Sequence, residues 1–266
     1  MTVRPTDLAE LAGCDLGSHT VTFTDRDAIL YALSVGAEAD ELELVYERDL
    51  RVIPTYACAL GLWAVEAAGE LGVYDRTNSL HVGQALEVHG PIPVGAVEMT
   101  GRVNDVWDKG RASVVVIDVE AELFTAGYTI FLPGVGEWGG ERGPSSPGSE
   151  PLEPTWQGTV GTSREAAVLY RLTGDRHPVH VDPDVSGSLG FDRPILHGLA
   201  TLGMAVRAVA GGIGAHPAAL GSLEARLISP VLPGQDLEVA AERGEPVRYE
   251  VRAGDEVALT GSATFA

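Results

Sequence analysis

The 266-residue sequence predicts an α+β chain made of two similar halves, each a long helix wrapped by an antiparallel sheet. Two observations predict this. First, the order of a long apolar helix followed by a meander of strands occurs twice. The two runs overlay at an offset of about 140 residues, Ile53 and the helix after it on Ile195 and its helix, Pro91-x-x-x-Gly95 on Pro230-x-x-x-Gly234. Second, the stretch between the runs is dense in Gly, Pro, Ser and Glu and shows no apolar periodicity, as a linker does. The expected organisation is an N-terminal unit over 1–138, a linker over 139–155 and a C-terminal unit over 156–266.

Taken in order, Asp25 to Leu33 reads as a short helix with Thr24 as its N-cap. Leu42 to Glu47 alternates and is rich in strand formers, which predicts a strand. From Thr55 to Leu71, apolar residues recur at helical spacing (Leu60, Trp63, Ala64, Ala67, Leu71), and Ala57, Ala59, Gly61 and Ala68 keep the other faces small. That composition suits a helix packed closely all round. Strands follow over Glu98–Trp107, Arg111–Glu122 and Phe124–Leu132, the first two joined by the hairpin signal Asp108-Lys109-Gly110. In the second half, a helix over Arg164–Leu172 and a buried helix over His197–Ala210 precede strands at Ser222–Ile228, Asp236–Glu242, Val247–Arg252 and Val257–Phe265. Gly211-Gly212-Ile213-Gly214 follows a helix and not a strand, so it reads as a helix stop and not as a dinucleotide loop.

Composition excludes several classes. A formal charge of −20 sets the chain against nucleic acid and anionic membranes, which would repel it at long range. An anionic small molecule remains compatible where basic residues gather, and Arg164, Arg171, Arg176 and Arg193 do gather in sequence. Cys14 and Cys58 are too few for a disulfide framework and lack metal-ligand spacing, which points to a reducing cytoplasm. Met1 to Gly13 is no signal peptide, Glu66 and Glu70 interrupt the most apolar stretch, and Thr264-Phe265-Ala266 is not a peroxisomal address. No His/Cys cluster predicts a metal, and His81 and His89 show no ligand spacing.

The chemistry concentrates in Tyr170-Arg171-Leu172-Thr173-Gly174-Asp175-Arg176-His177-Pro178-Val179-His180. Pro178 makes a helix through both Asp175 and His180 improbable on steric grounds and pushes His177 toward extended geometry. The expected shape is a helix ending near Gly174, then a bent loop that presents a carboxylate and an imidazole together. Such a pair suits proton transfer to and from water. By itself the string D-x-x-P-x-H is a weak signal, better served by a helix-end carboxylate and a half-buried histidine.

This run resembles the signature of the type 2 enoyl-CoA hydratases, the MaoC-like dehydratases, which reads Y-x-L-S/T-G-D-x-N-P-L/I/V-H. Asp182-Pro183, Gly190-Phe191 and Pro194-Ile195-Leu196-His197-Gly198-Leu199 resemble the family's continuation. His177 departs, standing where the family has Asn. In the first half, Val45-Tyr46-Glu47, Ile53-Pro54-Thr55, Leu80-His81 with Gly83-Gln84, and Gly139-Gly140-Glu141-Arg142 resemble the double hot-dog members, so the likeness spans most of the chain. It implies a double hot-dog fold and reversible hydration of trans-2-enoyl-CoA to (3R)-3-hydroxyacyl-CoA. Asp175 and His180 would grip one water, and the Gly198 amide, at a helix start, would be the oxyanion donor. His177 joins the site as a retuned water ligand, since neutral imidazole also offers one donor and one acceptor. Arg176, Arg193 and Glu47 are candidate substrate-binding residues; His197 is taken as structural. No cofactor is expected, coenzyme A entering with the substrate, and a homodimer is the expected assembly. The first half, lacking the motif, would shape the acyl pocket beside a single site. A dehydratase of acyl chains on a carrier protein, a thioesterase on the same fold, and a non-catalytic acyl-CoA binder stay open at this point.

Overall fold

Among the described residues, ten antiparallel strands form one continuous sheet, and the way they are ordered repeats. The computed structural model describes residues 7–145 and 151–266. The elements of the first half are α1 (Leu8–Leu11), β1 (Asp15–Phe23), α2 (Asp25–Ser34), α3 (Leu42–Val45), α4 (Tyr56–Leu60), α5 (Trp63–Glu70), β2 (Leu80–Val88), β3 (Gly95–Asp108), β4 (Ala112–Ala121) and β5 (Phe124–Pro133). Those of the second half are β6 (Trp156–Gly161), α6 (Ala166–Tyr170), α7 (Pro183–Ser188), α8 (Gly198–Ile213), β7 (Leu220–Leu227), β8 (Asp236–Glu242), β9 (Val247–Ala253) and β10 (Glu256–Phe265). The sheet runs β1-β3-β4-β5-β2-β7-β10-β9-β8-β6. Each half therefore places its first strand at the outer edge and its second at the seam, with its helices, apart from the short α1 that precedes β1, between those two strands in sequence. This is the double hot-dog. The seam pairs β2 with β7, Gly83 opposite Arg226 through Glu87 opposite Ser222.

Alternation puts one sheet face on the core. Phe124, Ala126, Tyr128, Ile130 and Leu132 of β5 are buried while their neighbours are half-buried, and Val247, Tyr249, Val251 and Ala253 of β9 do the same. Helix α8 lies against this face with ten buried residues, which explains why its sequence is apolar nearly all round. Gly214, at φ +83°, ends it in the left-handed region that glycine tolerates.

Three expectations change. Leu42–Glu47 is not a strand: Leu42–Val45 is a helical turn with Leu44 buried and Leu42 exposed. So short an apolar run fits either period. The expected helix over 55–71 is two helices. Tyr128 Oη donates to the Cys58 carbonyl at 2.8 Å, the acceptor that a continuous helix would give to the Leu62 N–H. Leu62 N–H turns to Ala59 O instead, and the chain bends at Gly61, where a side chain would collide with the Tyr128 hydroxyl. Strands β1, β2 and β6 carried no clear signal. β1 and β6 are the sheet's edges and bury one side chain and none, so they need no apolar alternation. Of the linker expected at 139–155, residues 146–150 lie outside the described residues; the rest has no helix or strand.

Candidate active site

The motif loop folds as a helix stop followed by a tight turn. Helix α6 runs into a 3-10 turn over Arg171–Thr173, and Gly174 reverses the chain at φ +143°, its Cα facing the Ala59 carbonyl of the first half. That φ favours glycine, while the Ala59 carbonyl leaves room for ordinary contact. Asp175 follows, half-buried; its Oδ1 accepts the His177 N–H at 3.1 Å. Pro178–His180 then forms a second 3-10 turn with proline in its first turn, where its missing donor is harmless.

Two backbone carbonyls fix the histidines. His180 Nδ1 donates to Ile195 O at 2.9 Å, so its Nε2 carries the lone pair when the ring is neutral. His197 Nε2 donates to the carbonyl of Asp175 at 3.2 Å, and its Nδ1 is buried without a partner among the described residues. The two rings stack with centroids 3.6 Å apart and planes at 26°. A carboxylate oxygen of Asp175 and one nitrogen each of His180 and His197 all lie within 4.8 Å of one another. Burial pushes His180 below the ordinary histidine value, the Asp175 carboxylate partly opposing it. Burial, and then the neighbouring His180, push His197 down to about 3.

Those three donors resemble a metal set by composition, but the arrangement does not fit one. Stacked imidazoles aim their lone pairs in nearly parallel planes, while a shared metal needs both to converge on a point about 2.0 Å from each. One nitrogen of each ring is already committed to a carbonyl.

Gly198 is the first residue of α8, and its N–H has no partner among the described residues. A side chain there would meet Leu227 Cδ1 at 2.7 Å, so a larger residue would have to push the Leu227 side chain aside for the helix to start this close to β7. A cavity of about 360 Å³ opens from His180 to the surface, walled by Arg164, Ala167, Val181, Arg193 and Pro194. The arrangement can take a polar group at a helix start and move a proton beside it, with cations at the mouth.

The site differs from the sequence reading in five places. His177 is not free to orient a water through both nitrogens: its Nδ1 accepts the Val179 N–H at 3.3 Å and caps the 3-10 turn. An asparagine there could accept the same N–H through its side-chain oxygen, which is why the exchange leaves the loop intact. His197 is not a mere helix-start side chain; at 1% exposure it touches both members of the pair. Glu47 is exposed in the loop after α3 and does not line the cavity. Arg176 is exposed and outside the cavity wall, where Arg164 stands beside Arg193 instead. His81 on β2 was passed over for lack of metal spacing, yet its ring lies 5.7 Å from Tyr128; burial lowers its pKa and Asp175 opposes that.

Fold and site together define a hot-dog protein with a carboxylate–imidazole pair beside an open helix amide. Residues 145–263 match the MaoC like domain and residues 21–133 the MFE-2 hydratase 2 N-terminal domain. The chain is 37% identical to 3-hydroxyacyl-thioester dehydratase Y of Mycobacterium tuberculosis, over 86% of this chain and 85% of that one. It is 34% identical to enoyl-CoA hydratase ChsH3 of the same organism, over 88% of each. The full-length peroxisomal multifunctional enzyme type 2 of Drosophila melanogaster superposes with a TM-score of 0.81 at 29% identity; the match covers 94% of this chain and 48% of that one, so this chain spans about half its length. The chain belongs to the MaoC-like dehydratase family, in the double hot-dog form with a hydratase 2 N-terminal domain.

Proposed function

We propose that the chain is a lyase that reversibly hydrates trans-2-enoyl-CoA to (3R)-3-hydroxyacyl-CoA, with Asp175 and His180 as its acid–base pair and the Gly198 N–H as oxyanion donor. The observation that carries this is the convergence of the Asp175 and His180 side chains within 4.8 Å beside a glycine amide with no partner among the described residues. That spacing suits one water held between them at about 2.8 Å from each. His180 Nε2 takes a proton from the water as its oxygen bonds to C3. Negative charge moves to the thioester oxygen, where the Gly198 N–H and the start of α8 stabilise it. The proton then returns to C2, and dehydration is the reverse. Asp175 holds the second hydrogen of the water through whichever carboxylate lone pairs His177 N–H leaves open.

Arg193, with Arg164, stands where the phosphates of coenzyme A would approach, and no cofactor beyond the substrate enters the reaction. The N-terminal unit, residues 1–138, shapes the acyl pocket, the C-terminal unit, 156–266, supplies the motif, and each chain holds one site. Cys14 and Cys58 are both free, in keeping with the cytoplasm, and no helix among the described residues is long and apolar enough to cross a membrane. A homodimer is the assembly to test, by light scattering. Loss of the conjugated enoyl thioester of crotonyl-CoA, followed by absorbance, tests the reaction; coupling to an R-specific or an S-specific hydroxyacyl-CoA dehydrogenase tests its stereochemistry. A catalytically silent chain that still binds acyl-CoA would replace this reading with the binder. The arginines at the cavity mouth also suit an acidic carrier protein, and faster turnover of the carrier-bound than of the CoA thioester would move the function to biosynthetic dehydration.

A further inference from the structure

We propose that His197 is a positioning residue of this site: one neutral ring that holds Asp175 and His180 in register with the Gly198 amide. The proposal rests on the hydratase reading, and three contacts carry it. Its face covers the His180 ring at 3.6 Å. Its Nε2–H holds the backbone carbonyl of Asp175 at 3.2 Å. Its own backbone carries the residue before Gly198, so the ring and the oxyanion amide move as one two-residue piece. That piece is itself fixed. Leu196 N–H donates to Val231 O at 2.7 Å, and the His197 carbonyl accepts the N–H groups of Ala200 and Thr201, each at 3.1 Å. One segment thus sets the relative position of carboxylate, imidazole and amide, which otherwise sit on a loop, a 3-10 turn and a helix.

The contacts require the uncharged ring. A second proton would go on Nδ1, which is buried and has no acceptor. The charged groups that face the ring are Asp175, His180 and Arg171, and Tyr170 packs 4.8 Å away. Arg171 and a protonated His180 both oppose a charge there, and Asp175 alone favours it. The ring therefore stays neutral while His180 exchanges its proton.

Two variants separate the contacts. His197→Gln places an amide N–H near the lost Nε2–H but removes the stacked ring; His197→Phe keeps a flat ring and removes the donor. Each is expected to lower kcat about 10- to 100-fold, the cost of small misplacement, and to leave KM within about threefold. In the Gln variant the acid limb of kcat should also move up toward the ordinary histidine value, because His180 loses its cover. In the wild type, nitrogen-15 NMR of the imidazoles should show His197 as the neutral Nε2–H tautomer throughout pH 5–8. Folded variants with wild-type kcat overturn the proposal. So does a loss of thermal stability with an unmoved acid limb, which would mark a purely structural ring. Should neither variant fold, the wild-type spectrum decides: a His197 that titrates near 6.5, or that carries its proton on Nδ1, overturns it. A wild type inert toward crotonyl-CoA and longer enoyl-CoA thioesters would instead sink the hydratase reading, and the same spectrum would still decide whether the ring holds the pair.

Discussion

The two halves place their central helices alike and fill the space at the helix start differently. In the second half, His197 and Gly198 begin α8, a single 16-residue helix, and the motif loop lies against them. At the matching place in the first half stand Thr55 and Tyr56, and the helix they begin breaks after Leu60. There Tyr31 of α2 packs against that helix start. Its hydroxyl donates to Thr55 Oγ1 at 2.8 Å and its ring stacks on Tyr56 at 4.6 Å. One half thus spends its helix start on an open amide and titratable groups, the other on packed aromatic rings and a satisfied hydroxyl pair.

The largest expected effects test which half does chemistry. Asp175→Asn and His180→Ala should each lower kcat by about 10²–10⁴-fold, the usual worth of a placed acid or base, with little change in substrate affinity. The double variant should lose much less than the product, since both residues act on one water. Strictly multiplicative losses would separate their roles. Titration with a non-hydrolysable enoyl-CoA analogue should saturate at one per chain; two equivalents would mean that the first-half helix start also binds a thioester.

Next in size is a pH effect on stability confined to the second half's helix start. The folded His197 value of about 3 lies below the ordinary value of about 6.5, so as pH falls the unfolded chain takes the proton first. Its contribution is complete above pH 6.5 and is lost as pH falls toward 3. Between pH 7 and pH 5 this single ring should cost about 2 kcal/mol of unfolding free energy. His180 shifts the same way and adds to the slope. The matching first-half groups, Tyr31 and Tyr56, are pushed upward by burial and titrate nowhere in this window. Urea unfolding at the two pH values checks it, and His197→Gln should flatten the difference by about the same amount. An unchanged difference would mean that His197 is protonated in the folded state.

The second half was more legible than the first, for physical reasons. Gly174 and Gly214 occupy a backbone state that few residues tolerate and Pro178 restricts its own φ and the residue before it, so the helix stop, the bent loop and the end of α8 showed in the sequence. The unbroken apolar run of α8 did too. The break between α4 and α5 did not, because its cause is a hydroxyl on β5, seventy residues away in sequence from the carbonyl it takes. Edge strands β1 and β6 bury too little to alternate. For His197 the local sequence shows a helix start and nothing more; its place between Asp175 and His180 depends on how α8 meets the loop. For His177 the turn-capping contact was hidden for the opposite reason. Its departure from the family residue drew attention to the ring, whereas the structure uses one nitrogen of it to cap a turn.

The smallest effect is the sharpest test of the division between the halves. Tyr31→Phe keeps the ring that stacks on Tyr56 and removes only the hydroxyl, leaving Thr55, 2% exposed, without that donor. A lost buried hydrogen bond of this kind costs about 1 kcal/mol. If the first half's helix start is pure packing, the variant should unfold about 1 kcal/mol more easily and turn over substrate within about twofold of wild type. There is a route by which it could do otherwise. Tyr31 lies 6.1 Å from Tyr170, and Tyr170 packs on His197 at 4.8 Å, so a line of rings joins the filled helix start to the working one. Only the rings make that line, and the phenylalanine preserves them; the hydroxyl that is removed faces Thr55. Turnover that falls tenfold with folding intact would therefore mean that the Tyr31–Thr55 bond itself sets the position of the second half's site. The two helix starts would then be one device and not a working copy beside a filled one.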